Sequence, residues 1–250
     1  MEHLGVDAIV QARLGSSRLP RKMLTNIAGK TLLEHVCTRI RQVTGVNRII
    51  IATTDKPEDD LLASLCEGLG LLVFRGSQDD VLLRMLGAAE RFGCEKIVRV
   101  CGDNPLIDSE LIDVLIENFA ARNTADYCTY VTREGIPLIL KPLGIVAEVV
   151  TAEALKKVAS LTASKKYREH VTMFIYENPK LFNITTVPLP EGIDADLRFT
   201  VDYIEDVEIC ERVLQKGGGA GWRALLQVIE GDAQLKLTIQ SFEGSHKKRY

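Results

Sequence analysis

Val6-Asp7-Ala8-Ile9-Val10, followed by Gln11-Ala12-Arg13-Leu14-Gly15-Ser16-Ser17-Arg18-Leu19-Pro20-Arg21-Lys22, decides how this chain is read. The apolar run predicts a buried first strand. The second stretch carries Gly15, two serines, three arginines and a lysine, which makes a poor core element. Such a loop suits a ligand with several negative charges. Small residues let backbone N–H groups approach phosphate oxygens, and guanidinium and ammonium groups neutralise them. A solvated basic turn is the competing reading of the loop taken alone, because Gly, Ser and Pro gather in turns.

Outward from this stretch, strand-like and helical patterns alternate. Strands are expected at Arg48–Thr53, Leu71–Phe74 and Lys96–Cys101. Helices are expected at Lys56–Gly68, with Asp55 as cap and Pro57 in the first turn, at Asp79–Phe92 and at Ser109–Ala121. The alternation predicts an α/β fold with a mostly parallel, Rossmann-like sheet and helices on both faces. Tyr127–Val150 changes character: short β-prone runs surround Gly135, Pro137 and Pro142, as in a β insertion packed on the parallel core. Helices follow at Ala152–Ser160 and Lys166–Tyr176, strands at Ile184–Pro188 and Leu197–Val201, and helices at Ile204–Gln215 and Trp222–Ile229. The chain reads as one domain over 1–250, with a frayed tail at Gly244–Tyr250.

Composition narrows the function classes. A net charge of −3 and 46% hydrophobic residues describe a mildly acidic globular protein, not a general nucleic-acid or membrane-surface binder. The basic loop is therefore a local device. Six cysteines with no Cys-x-x-Cys pair read as small core residues in a reducing cytoplasm. With no signal peptide or long apolar span, the expected location is cytoplasmic. Ala28-Gly29-Lys30-Thr31 mimics the end of a phosphate-binding P-loop, but Leu24 stands where that motif needs glycine. Thr31 and Glu34 read instead as a capping box opening a helix at Leu32–Val43.

In open α/β sheets, ligands sit beyond the carboxyl ends of the strands. Those ends here carry Arg13, Asp55, the run Gly76–Asp80, Gly102-Asp103-Asn104-Pro105 and, late in the chain, Asp202. An apolar strand ending in Asp is well placed for a hard cation such as Mg²⁺, which takes one or two carboxylates together with substrate phosphates. A helix cap or turn is the ordinary alternative for a lone Asp.

The residues Arg13, Ser17, Arg18, Pro20 and Lys22 resemble the loop of bacterial cytidylyltransferases that activate sugar acids, the 3-deoxy-manno-octulosonate and acylneuraminate enzymes. They are most similar to relatives in spore-coat polysaccharide biosynthesis. Gly102-Asp103-Asn104-Pro105-Leu106-Ile107 resembles a Gly-Asp-x-Pro-Leu-Ile segment of these enzymes, and Thr200-Val201-Asp202-Tyr203-Ile204-Glu205-Asp206 and Arg168-Glu169-His170-Val171-Thr172 resemble segments of the spore-coat relatives. Two positions depart from the octulosonate enzymes. Arg21 replaces a small residue, and Asn104 stands where Glu is usual.

The resemblance implies the α/β nucleotidyltransferase fold and transfer of CMP from CTP to a sugar acid, nonulosonic-acid-like, with release of pyrophosphate. By the same likeness Arg13, Arg18 and Lys22 hold the triphosphate, alongside Ala12, Gly15, Ser16 and Ser17. Gln78, Asp79 and Arg84 lie near base and ribose, or else Asp79 or Asp80 caps a helix and Arg84 is solvated. Asp103 and Asp202 are the Mg²⁺ ligands, while Glu205 and Asp206 load the next helix N-terminus with favourable charge. Arg168, Glu169 and His170 border the acceptor pocket, or are ordinary polar residues at a helix end. The expected partners are CTP and a small sugar-acid acceptor, with no nucleic acid and no membrane, and a homodimer formed through the β insertion. A nucleotide-sugar glycosyltransferase of the same fold is one rival, weakened by the lack of Asp-x-Asp after the fourth strand. A sugar-1-phosphate or cofactor nucleotidyltransferase is a second, weakened because its loop normally opens with paired glycines where Ala12-Arg13 stand, and a nucleotide-binding module without turnover is a third.

Overall fold

Alternate residues of the first strand enter two different hydrophobic layers. In β1 (Val6–Gln11), Val6, Ala8 and Val10 face one core cluster and Ile9 the other, all at 1% exposure or less. A strand buried on both faces sits inside a sheet covered by helices, which is why it reads as a nearly unbroken apolar run. The computed structural model describes residues 5–246.

A 3₁₀ turn at Lys22–Leu24 and a hairpin of β2 (Asn26–Ile27) and β3 (Lys30–Thr31) lead from the basic loop to α1 (Leu32–Ile40). Ala28 and Gly29 take positive φ at the hairpin tip, so this segment is a turn rather than a P-loop. The Thr31–Glu34 capping box forms as expected. Then come β4 (Val46–Thr54), α2 (Asp60–Gly68), β5 (Leu72–Gly76), α3 (Val81–Phe92), β6 (Lys96–Cys101) and α4 (Ser109–Ala120). The later half adds β7 (Tyr127–Val131), β8 (Glu148–Thr151), α5 (Ala152–Leu161), α6 (Lys165–Glu169), α7 (Met173–Glu177), β9 (Ile184–Pro188), α8 (Ile204–Gln215), α9 (Trp222–Glu230) and α10 (Ala233–His246).

One seven-stranded sheet runs in the order β5-β4-β1-β6-β8-β7-β9, and within it β8 alone runs against its neighbours. Gln11 pairs with Ala52 on one side and Cys101 on the other, so the loops after β1, β4 and β6 leave the sheet at one edge. Among the described residues no helix is long and apolar enough to cross a membrane. The cysteines are unbridged, and burial pushes the Cys37 and Cys66 thiols up to about 12.

Five expectations are corrected. The segment 127–150 is not a layer packed on the core. Its strands are members of the main sheet, with β8 wedged between β6 and β7. Leu138, Ile145, Ala147 and Val149 are consequently buried within the chain, and only Ile136 and Leu140 remain exposed for any contact between copies. Leu197–Val201 takes no regular secondary structure and joins no sheet. Phe199 N–H and Thr200 N–H donate to Pro142 O, and Val201 N–H donates to Asp103 O at 2.8 Å. This docking needs Gly144, where a Cβ would lie 2.8 Å from the Phe199 carbonyl carbon.

The helix expected over 166–176 is broken into α6 and α7, because Val171 is fully buried and the Thr172 hydroxyl bonds inward to Glu148. The helix expected from 56 starts as a 3₁₀ turn at Pro57–Asp59, and Asp55 does not cap it. Asp59 instead turns its carboxylate inward to Leu14 N–H and the Thr54 hydroxyl. The tail is helical through His246, and the rest of it, 247–250, lies outside the described residues.

Candidate active site

The basic loop is held from beneath. Leu14 N–H donates to Asp59 Oδ1 at 2.6 Å, a buried bond between residues 45 apart in sequence. Arg21 N–H closes the loop onto Leu14 O at 3.1 Å, with Arg21 in the left-handed region at φ 57. Gly102 brings the end of β6 against the start of this loop: its N–H donates to Gln11 O at 3.0 Å, and a Cβ there would sit 2.8 Å from that oxygen. Gly102 thus permits the close backbone approach that seats Asp103 beside the loop.

Opposite the loop stand the two carboxylates. Lys22 Nζ donates to Asp103 Oδ2 at 3.0 Å, to Asp202 Oδ1 at 2.9 Å and to the Val201 carbonyl at 2.8 Å. Arg18 reaches the same Asp202 oxygen at 2.7 Å, and Arg198 the other at 3.3 Å. Burial acts to strip the charge from Lys22, but Asp103 and Asp202 outweigh it and hold the ammonium above its ordinary value. Burial likewise disfavours the Asp202 carboxylate, and Lys22, Arg18 and Arg198 together hold it below the usual range. Asp206 caps α8 as expected of an acid at a helix start, accepting from the Asp202 and Tyr203 N–H groups.

These groups open onto a cleft of about 1580 Å³, and every site residue expected from the sequence lines it. Ala12, Arg13, Gly15, Ser16, Ser17, Arg18 and Lys22 form one wall, Gln78, Asp79 and Arg84 a second, and Arg168, Glu169 and His170 a third, with Asp103 and Asp202 at the seam. Arg84 is not solvated: it is 3% exposed and gives its guanidinium to the Ser77 and Gln78 carbonyls. Burial, reinforced by nearby Arg13, lowers its pKa from the usual guanidinium range. The helix-cap reading is half right, since Asp80 Oδ1 accepts from Leu83 N–H at 2.8 Å and caps α3. Arg168 bonds the Ala159 carbonyl at 2.9 Å and lies 3.5 Å from Asp80, while Glu169 and His170 are exposed at the cleft.

Sequence reasoning missed the cleft floor. Arg99, 6% exposed, ion-pairs with Glu148, its register partner across β6 and β8, and donates to Gln11 Oε1 at 3.1 Å. Glu148, at 1% exposure, also accepts from the Tyr127 and Thr172 hydroxyls. The available signal was a charge inside each of two apolar runs, Lys96–Cys101 and Ile145–Val150, since a buried charge needs a partner.

Sheet, loop and carboxylates define an α/β nucleotidyltransferase. More narrowly, this chain belongs to the cytidylyltransferase family, whose model matches residues 8–218. It is 38% identical over 216 residues to the spore coat polysaccharide biosynthesis protein SpsF of Bacillus subtilis, covering 84% of this chain and 86% of that protein. A 3-deoxy-manno-octulosonate cytidylyltransferase of Geobacter sulfurreducens is 37% identical over 119 residues, 47% of this chain and 46% of that enzyme. The solved structure of a cytidylyltransferase from Leptospira borgpetersenii superposes with a TM-score of 0.83 at 28% identity, covering 93% of this chain and 97% of that one. The protein is an enzyme of the CTP-dependent nucleotidyltransferase class.

Proposed function

We propose that the protein transfers CMP from CTP to a sugar acid, nonulosonic-acid-like, in surface polysaccharide biosynthesis. The observation that carries this reading is the convergence of Asp103 and Asp202 on one ammonium at the mouth of a basic, small-residue loop. An acceptor hydroxyl oxygen forms a bond to the α-phosphorus and releases its proton to solvent, the bond from that phosphorus to the bridging oxygen breaks, and pyrophosphate leaves. Arg13, Arg18 and Lys22 would neutralise the triphosphate and the departing pyrophosphate. Arg168, Glu169 and His170 line the same cleft and would meet the acceptor there.

The two carboxylates fit a divalent cation. Both reach the same Nζ, so one positive charge already sits between them. Mg²⁺ takes one or two carboxylates together with substrate phosphates, and Asp103 and Asp202 would supply the carboxylates. Asp103 and Asp202 would hold Mg²⁺, and when bound it would offset negative charge on the phosphoryl oxygens. The support from relatives is that one carries a spore-coat polysaccharide name and another is an octulosonate cytidylyltransferase.

Pyrophosphate release measured with each of the four nucleoside triphosphates against a panel of sugar acids tests the reading. Release confined to CTP and dependent on a sugar acid is expected. Equal use of all four nucleotides, or release only with neutral sugars, refutes it.

A further inference from the structure

Leu14 is the hub of the basic loop. Its side chain is buried in the core, and its N–H donates to Asp59 Oδ1 at 2.6 Å. Its carbonyl accepts from Ser16 N–H at 2.8 Å and from Arg21 N–H at 3.1 Å. Ser16 Oγ then accepts from Leu19 N–H at 3.3 Å, and Leu19 O from Lys22 N–H at 3.2 Å. The path from Gly15 to Lys22 therefore follows from how the Leu14 peptide is turned. Among the described residues nothing accepts from the Gly15 or Ser17 N–H, so both donors are unused within the chain. Successive backbone N–H groups of this kind form an anion-binding concavity when the loop around them is held in shape.

Asp59 holds the Leu14 peptide. It is fully buried, at the end of the 3₁₀ turn Pro57–Asp59 that follows β4. One carboxylate oxygen faces the loop, and the other accepts from Thr54 N–H at 3.3 Å and from the Thr54 hydroxyl. Pro57 opens the turn and Asp59 N–H closes it onto Lys56 O at 3.0 Å. Arg75 braces it from outside, with Nε on Thr54 O at 2.9 Å and its guanidinium on Lys56 O at 2.8 Å. One carboxylate thus joins the loop after β1 to the end of β4. Both of its oxygens are committed within the chain, so it acts through the Leu14 peptide and not on a ligand directly. An ionised acceptor makes a stronger bond to a backbone N–H than a neutral one does, and burial strengthens it further. Its charge also reaches Arg84, where it counters the repulsion from Arg13.

Resting on the reading of the basic loop as the holder of the CTP triphosphate, we propose that Asp59 is a positioning residue for the nucleotide: it fixes the Leu14 peptide before CTP arrives, so that the β- and γ-phosphates meet a loop already in its binding shape. Such preorganisation raises affinity by removing the cost of ordering the loop on binding.

The test compares the affinities of CTP and CMP, measured by calorimetry without an acceptor, in the unaltered protein and in Asp59→Asn, together with the KM of the acceptor at saturating CTP. The asparagine keeps the shape but offers one oxygen to the Leu14 and Thr54 N–H groups that Asp59 meets with two. Asp59→Asn is expected to weaken CTP binding by about tenfold or more, with CMP affinity and acceptor KM unchanged. Unchanged CTP affinity overturns the inference, as does an equal loss on CTP, CMP and acceptor, which is what a merely structural lesion gives. Amide exchange in the unaltered protein covers the case in which Asp59→Asn does not fold. Leu14 N–H is expected to be protected without nucleotide, and exchange as fast as that of Gly15 and Ser17 overturns the inference. CTP bound no more tightly than CMP by the unaltered protein refutes the triphosphate reading of the loop itself, and the role of Asp59 falls with it.

Discussion

Lys22 and Arg99 both line the cleft and each is paired with carboxylate charge, yet their surroundings differ in kind. Lys22 binds residues 81 and 180 positions away that sit on loops, and its side chain and those of Asp103 and Asp202 are 12%, 27% and 14% exposed. A ligand can reach all three groups and exchange partners with them. Arg99 and Glu148 are 6% and 1% exposed, face each other across adjacent strands, and are further bound by Gln11, Tyr127 and Thr172. Burial disfavours charge on Arg99, but the groups around it, Glu148 among them, hold its pKa above the ordinary value. One cluster is within reach of a ligand, and the other is locked into the cleft floor.

The sharpest way to break this contrast is Glu148→Ala, which leaves Arg99 buried and unpaired. Removing one partner of a buried pair destabilises by about 3–5 kcal/mol, so thermal unfolding should fall by many degrees. A melting temperature near wild type would show that the floor is not structural. Next in size is the working cluster itself. Asp103→Asn and Asp202→Asn should each lower turnover by at least about a hundredfold through lost charge stabilisation. Folding should survive, because both carboxylates reach the cleft surface and Arg198 keeps Asp206. Near-wild-type pyrophosphate release at limiting Mg²⁺ would refute their assignment as metal ligands.

Smallest is Lys22→Ala, expected to weaken CTP binding by about tenfold, in line with the loss of one charge-assisted contact. The same change removes the ammonium that Asp103 and Asp202 share, so binding of Mn²⁺ alone, followed by its paramagnetic signal, should become tighter than in the wild type. Lys30→Ala, on the exposed β2–β3 hairpin, should alter neither. A larger loss of CTP affinity at Lys30 than at Lys22 would reverse the placement of the phosphate loop.

What local sequence could determine, it determined well. Alternation of apolar runs and helical patterns marked the strands of the parallel half, most clearly β1, which is buried on both faces and so is nearly apolar throughout. Thr31 with Glu34 marked a helix start, since both halves of a capping box lie within one turn. The loop from Ala12 to Lys22 was legible because its residues are contiguous and their chemistry is unlike that of a core.

Tertiary structure alone decided the rest. Leu197–Val201 has strand composition, but Gly144 lets it dock on the 141–144 loop, and it reaches the site through Asp103 rather than through the sheet. The helix expected over 166–176 breaks at Val171 and Thr172 because Glu148, 24 residues earlier, binds the Thr172 hydroxyl. The pairing of Arg99 with Glu148 depends on β8 running antiparallel between β6 and β7. Periodicity reports which face of an element is buried, but partners so far apart in the chain meet only when the sheet order and register bring them together.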